Sequence, residues 1–323
     1  MINNFAYVKA GSLAEAVKAL STKGAWLHAG GIDLLGCARS ELFPVEKIVS
    51  ISNPKQLKGI SAQPDGSVKI GALTSLAEIA SNTAVASKYA VLAQAAAAVG
   101  TPQIREQGTV GGNICQKPRC WYFRGEMQCF KKGGTRCYAA GGENQYHAIF
   151  GGGPCYFAHP SDVAVALVAL QAQLGITGPA GIKLTKIENF FVDPKKIVVK
   201  ENILLPGEII TDVRIPTVSG TMKSSFRKIA SRGSWDFALV SVAAVLQLES
   251  GNVRAARIVL GGVAPYPWKA AEAEKVLMGK KLDSAAAAAA AEAATLGASP
   301  LRDNAYKVDM VKGAVEESLA AFI

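Results

Sequence analysis

The sequence predicts an α+β protein built as a large two-part domain followed by a smaller α+β domain. Three observations predict it. Strand-like runs alternate with helices opened by capping boxes over roughly the first hundred residues. A glycine-punctuated, loop-like stretch at 115–158 then holds most of the cysteines. Beyond Pro216, strand-like segments are followed by three helical ones. Half of the 323 residues are hydrophobic and 19% are charged, enough for real cores and against wholesale disorder.

The elements read in order as follows. Residues 5–8 alternate as a strand. Ser12-Leu13-Ala14-Glu15 is a capping box, and its helix ends before Gly24. Residues 25–29 form a short strand that enters Gly30-Gly31. A second unit begins near Pro54, with a strand at 68–71 and a second capping box at Ser75-Leu76-Ala77-Glu78. Residues 84–99 predict one alanine-rich helix, closed by Gly100 and followed by Pro102. After the cysteine segment, Pro160-Ser161-Asp162 opens a buried helix over 163–172, and 208–215 alternates as a strand up to Pro216. A boundary falls at 216–220, giving domains 1–218 (subdomains 1–53 and 54–218) and 219–323. The second domain predicts strands at 224–229, 243–249 and 254–261. Its helices are expected at 268–278, 284–296 and 305–321, with the run Ala285 to Ala291 read as helix packing.

The net charge of +10 is carried by scattered lysines, never more than two in a row. That pattern reads as a solvated basic surface and not as a nucleic-acid site. No apolar run approaches eighteen residues, so no membrane span is expected. Met1-Ile2-Asn3-Asn4 has neither a basic region nor an apolar core, so the chain by its own sequence is expected in the cytoplasm. Co-export with a signal-bearing partner would place it in the periplasm.

Four cysteines, Cys120, Cys129, Cys137 and Cys155, crowd into 36 residues, with Cys37 and Cys115 outside the set. Their gaps of eight, seven and seventeen residues contain none of the short C-x(2–4)-C pairs of structural zinc sites. That favours a bulky iron–sulfur cubane over one small ion, with zinc, disulfides or unrelated buried thiols as the alternatives. Between Cys115 and Cys137 lie Lys117, Arg119, Arg124, Lys131, Lys132 and Arg136, against Glu126 alone. This positive charge would favour thiolates and an anionic cluster, or dock an acidic partner.

Neither a G-x-G-x-x-G nor a P-loop motif occurs. Instead, Leu27-His28-Ala29-Gly30-Gly31-Ile32-Asp33-Leu34 and Gly108-Thr109-Val110-Gly111-Gly112-Asn113 form two glycine turns. Glycines let backbone N–H groups approach a pyrophosphate, although a tight turn alone would explain either pair. His28, His147 and His159 form no metal motif and read as structural. Trp121-Tyr122-Phe123 reads as packing around the cysteine loop.

Taken together, these segments resemble the FAD-binding subunit of the molybdenum hydroxylases, the xanthine dehydrogenase and aldehyde oxidase family. The resemblance rests on Ala29 to Leu35, Ile70 to Glu78, Ile104 to Ile114, Ser161-Asp162, Trp235 to Leu239 and Leu260 to Pro265. The cysteine insert looks like the branch whose flavin subunit carries an extra [4Fe–4S] cluster. That branch includes bacterial periplasmic aldehyde oxidoreductase and 4-hydroxybenzoyl-CoA reductase, and the aldehyde enzyme looks closer.

The resemblance implies a two-part FAD domain of the PCMH type and a C-terminal domain of the CO dehydrogenase flavoprotein type. It implies FAD with its pyrophosphate on Leu27 to Leu34. Thr74, Gly108, Thr109, Gly111, Gly112, Asn113, Asp162, Ile210 and Lys228 would complete the cofactor site, with Lys228 near the isoalloxazine. Ile32 departs from a frequent threonine. The same resemblance implies Cys120, Cys129, Cys137 and Cys155 as cluster ligands and no catalytic residue on this chain. The partners it implies are a molybdenum-cofactor large subunit, a [2Fe–2S] small subunit and an external electron acceptor. The competing readings are a 4-hydroxybenzoyl-CoA reductase-like or xanthine dehydrogenase-like flavin subunit, an independent FAD oxidase, and a basic nucleic-acid-binding zinc protein.

Overall fold

The computed structural model describes residues 4–217 and 222–323, so the boundary expected at 216–220 lies largely outside the described residues. The first subdomain is a three-stranded parallel sheet, in the order Ala6–Lys9, Lys47–Ser50, Ala25–His28. The helix Leu13–Leu20 crosses between the first two strands in sequence. Ser12 starts it as expected, its hydroxyl accepting from the Glu15 N–H at 3.2 Å, while the Glu15 carboxylate accepts from the Gly11 N–H at 2.7 Å. The central strand Lys47–Ser50 was not legible, because Glu46 and Lys47 interrupt the apolar run.

The second subdomain is a five-stranded antiparallel sheet, ordered Ile60–Ala62, Val68–Gly71, Ile209–Ile215, Gln173–Gly178, Gly181–Lys186. The hairpin Gln173–Gly178/Gly181–Lys186 follows directly on the expected 163–172 helix. That helix runs only Asp162–Ala169, and Gln171 turns the chain with φ +55°. The single helix expected at 84–99 is two, Thr83–Lys88 and Ala90–Ala97. They break at Tyr89, which is fully buried and whose hydroxyl reaches Pro216 O at 3.4 Å. The break keeps the Tyr89 ring in the core, and Val91 N–H finds the Ser224 hydroxyl at 3.3 Å.

The C-terminal sheet is antiparallel, ordered Trp268–Lys269, Asn252–Gly261, Val240–Glu249, Met222–Ile229. Residues Val240 to Leu246 are buried without alternation because both faces of the sheet are covered. Ala243, Val245 and Val259 join the core of the large domain. Val242, Ala244, Leu246, Ile258 and Leu260 pack on the helices Ala271–Leu277, Ser284–Ala293 and Tyr306–Ala320. The alanine run serves this contact: Ala286, Ala287, Ala290 and Ala291 are its buried stripe. The shared core fixes the second domain against the first, so that the 235–237 turn overhangs a cavity in the large domain.

Candidate functional site

Two cavities flank one stretch of chain. The larger, of about 980 Å3, opens between the three-stranded sheet, the five-stranded subdomain and Trp235–Phe237. The smaller, of about 10 Å3, lies inside the cysteine segment.

The strand Ala25–His28 delivers the first glycine turn to the larger cavity. A Cβ at Gly30 would stand 1.8 Å from Gln107 O, so only glycine lets this turn close on the helix Pro102–Gln107. Gly31 has φ +76° and faces the His28 ring. Among the described residues, no protein group accepts a hydrogen bond from the backbone N–H of Gly30, Gly31, Ile32, Asp33 or Leu34. Successive unpaired N–H groups form a nest that takes an anion.

The second glycine turn is built differently. Val110 N–H donates to Thr74 O at 3.0 Å and Gly111 N–H to Ala72 O at 2.9 Å. Gly112 N–H donates to Thr109 Oγ1 at 3.2 Å, and Asn113 N–H to Thr109 O at 2.8 Å. These donors are spent inside the protein, so the expectation of a second backbone phosphate cradle does not hold. The glycines instead allow close packing, since a Cβ at Gly111 would stand 3.0 Å from Ala72 Cβ. What this turn offers the cavity is the side chains of Thr109 and Asn113, the latter fixed by the Ser161 hydroxyl at 2.5 Å.

Leu27, Ala29, Gly108, Ile210 and Lys228 also line the cavity. His28 and Thr74 do not: Thr74 is buried and donates to Gly59 O at 3.1 Å. Lys228 Nζ is saturated by Asp162 Oδ2 at 2.8 Å, Asp236 O at 2.8 Å and Ala98 O at 2.9 Å. This ammonium ties the cavity floor to the overhanging C-terminal turn. Burial pushes the Asp162 carboxyl up, against the pull of Lys228.

Asp33 was read as a cofactor contact, and its carboxylate is engaged elsewhere. Oδ1 is held by Arg119 Nη1 at 2.7 Å and Arg124 Nη2 at 2.8 Å, and Oδ2 accepts from the Lys117 N–H at 2.6 Å. Burial alone would raise this carboxyl, but Arg119, Arg124 and the Lys117 N–H hold it below its ordinary value. Glu201, buried beside the cavity, is clasped by Lys117 Nζ at 2.6 Å and Lys131 Nζ at 2.9 Å. Its carboxyl is likewise depressed, burial being outweighed by the two ammoniums. Four of the six basic residues of the cysteine segment are thus spent on two carboxylates, not on a docking face. Lys132 and Arg136 stay local, on Gly125 O and over the Tyr138 ring. Sequence reasoning missed Glu201, because its partners lie about seventy and eighty residues away.

Cys120, Cys129, Cys137 and Cys155 all line the smaller cavity, with Phe123, Phe157 and His147. Cys120, Cys129 and Cys137 cap the short helix Trp121–Arg124, the turn Phe130–Lys132 and the short helix Tyr138–Gly141, and Cys155 comes from a separate loop. Burial pushes the Cys120 thiol up to about 11 and Cys155 to about 12, partly offset by N–H groups of Phe123 and Tyr122 at Cys120 and of Phe157 at Cys155. Such N–H···S bonds are a means by which proteins tune cluster sulfurs. His147 Nε2 stands 3.2 Å from Cys120 Sγ, and burial and Lys307 lower its pKa to about 4, so the ring is neutral. Among the described residues, no three His, Cys, Asp or Glu side chains close on one metal ion. The void that the four sulfurs line is water-sized. Cys37 lines the larger cavity and packs beside Cys129, whereas Cys115 lines the larger cavity only.

Comparison with known proteins agrees with this architecture. Residues 3–218 match the FAD binding domain in molybdopterin dehydrogenase, and 225–321 match the CO dehydrogenase flavoprotein C-terminal domain. The chain is 34% identical over 321 residues to the aldehyde oxidoreductase FAD-binding subunit PaoB of Escherichia coli, covering 98% of this chain and 97% of that one. It is 29% identical over 280 residues to the glyceraldehyde dehydrogenase medium chain of Sulfolobus acidocaldarius, covering 86% and 83%. Among solved structures, carbon monoxide dehydrogenase from Hydrogenophaga pseudoflava superposes with a TM-score of 0.80 at 25% identity, over 99% of this chain and 98% of that one. The unpaired N–H run and the long cavity suit a dinucleotide, and the chain belongs to the FAD-binding medium subunits of the molybdenum hydroxylases, an oxidoreductase family.

Proposed function

We propose that this chain is the electron-transfer subunit of a molybdenum-dependent aldehyde oxidoreductase, carrying FAD in the larger cavity and a [4Fe–4S] cluster on Cys120, Cys129, Cys137 and Cys155. The observation that carries the reading is the convergence of those four thiols beside the dinucleotide cavity. The full-length similarity to an aldehyde oxidoreductase FAD-binding subunit supports the substrate class. A flavin exchanges electrons singly or in pairs, the chemistry needed between one-electron centres and an acceptor.

The chain's own residues bind and orient. Gly30 to Leu34 would hold the pyrophosphate on backbone donors, and Thr109 and Asn113 would face the polyol. The Lys228–Asp162 pair would fix the floor near the ring system. The buried carboxylates around the cavity, Asp33, Asp162 and Glu201, are each ion-paired, so none stands free as a general base for a substrate. Aldehyde oxidation is then left to a molybdenum-cofactor large subunit, with a [2Fe–2S] small subunit relaying electrons and an external acceptor receiving them.

Anaerobic mixing experiments test this. Aldehyde should reduce the flavin only when the other two subunits are present, whereas dithionite should reduce it directly. Rapid flavin reduction by aldehyde in the isolated chain would replace this reading with an independent FAD oxidase.

A further inference from the structure

The stretch 117–124 is a wall between the two cavities. Lys117 and Arg119 line the larger one, and Pro118 and Cys120 line the smaller. The wall also supplies both guanidiniums that neutralise Asp33. Arg119 precedes Cys120, and Arg124 ends the short helix that Cys120 caps. Arg124 is braced by the same wall, its Nε donating to Pro118 O at 2.8 Å.

Asp33 sits inside the run of unpaired N–H groups from Gly30 to Leu34. An uncompensated carboxylate there would repel a pyrophosphate across a short, partly desolvated distance. With Arg119 and Arg124 in place, the local charge of this corner is net positive.

We propose that the cysteine pocket governs FAD affinity, because the wall anchored at Cys120 carries the Arg119–Asp33–Arg124 clamp that makes the pyrophosphate nest electrostatically receptive. Filling the pocket orders the wall, the wall neutralises Asp33, and the nest accepts the dinucleotide. This rests on the FAD site proposed above. The coupling is reciprocal, so bound FAD in turn stabilises the ordered wall.

The test is FAD dissociation by flavin fluorescence on the full chain, with iron measured in the same samples. Arg124→Gln should weaken FAD at least tenfold, and Asp33→Asn in that background should recover most of the loss, by removing the charge that Arg124 offsets. Recovery of affinity in the double variant separates the charge effect from misfolding, because a misfolded chain would not regain FAD. An unchanged dissociation constant in Arg124→Gln overturns the clamp, and so does an equal loss with and without Asp33→Asn. Cys129→Ser, whose side chain does not line the larger cavity, should lose iron and weaken FAD tenfold or more. Iron lost with FAD affinity unchanged overturns the coupling while leaving the cluster assignment standing. Iron retained in Cys129→Ser removes the cluster assignment, and the Arg124 and Asp33 variants then decide the clamp by themselves.

Discussion

The two cavities are built from opposite materials. The larger one presents unpaired backbone N–H groups held by a parallel sheet and a glycine turn, and this geometry is complete in the fold itself. The smaller one presents side-chain sulfurs on loops, two of them with thiols pushed up to about 11 and 12. A backbone site is ready before its ligand arrives. A buried thiol site is neutral until its ligand arrives, because burial disfavours the thiolates the ligand requires. On this account the first site takes its shape from the backbone, while its charge balance, like the second site, depends on what fills the cysteine pocket.

The largest expected effect is on the second site. Cys129→Ala, Cys120→Ala, Cys137→Ala or Cys155→Ala should each abolish iron binding and destabilise 115–158, whereas Cys37→Ala and Cys115→Ala should retain iron. Iron content unchanged in Cys129→Ala would sink the four-cysteine assignment. On the first site, Gly30→Val drives a Cβ into Gln107 O and should give flavin-poor protein. Gly111→Val acts by another route, crowding Ala72 and lowering stability by about 1–3 kcal/mol. Melting temperatures should fall in both variants, further in Gly30→Val, whose Cβ would stand 1.8 Å from a backbone oxygen.

Smaller effects fall on the wall between the sites. Glu201→Gln leaves Lys131, whose side chain is 1% exposed, without its counter-charge. Denaturant unfolding should show a loss of about 3 kcal/mol. Acid should act least. Asp33 and Glu201 are held below their ordinary values of 3.8 and 4.5. They add stability above those values, and it is lost as the pH falls through the depressed ones. Asp162, raised by burial, works in the opposite sense. A thermal-melt pH series should show a modest net decline beginning below about pH 4.5, smaller in Asp33→Asn.

Much of this was legible in the sequence for local reasons. Ser12 and Ser75 cap their helices as their spacing predicts, and the glycine pair at Gly30-Gly31 marks the turn where no Cβ fits. The four cysteines stood out because sulfur carries its chemistry in the residue type. The remainder depended on contacts far apart in sequence. Nothing near Asp33 announces Arg119 and Arg124, nothing near Glu201 announces Lys117 and Lys131, and His147 meets Cys120 only in the fold. The spent donors at Gly111 and Gly112 are a loss of the same origin, since Ala72 and Thr109 claim them through packing.

One sample tests the contrast most directly: the full chain purified anaerobically, with flavin, iron and zinc quantified together. One FAD with four irons per chain, and a flavin band superimposed on broad iron–sulfur absorption, is the expected result. A yellow protein with stoichiometric FAD and no iron, or with zinc in its place, would contradict the assignment of the cysteine pocket and leave only the backbone-built site standing.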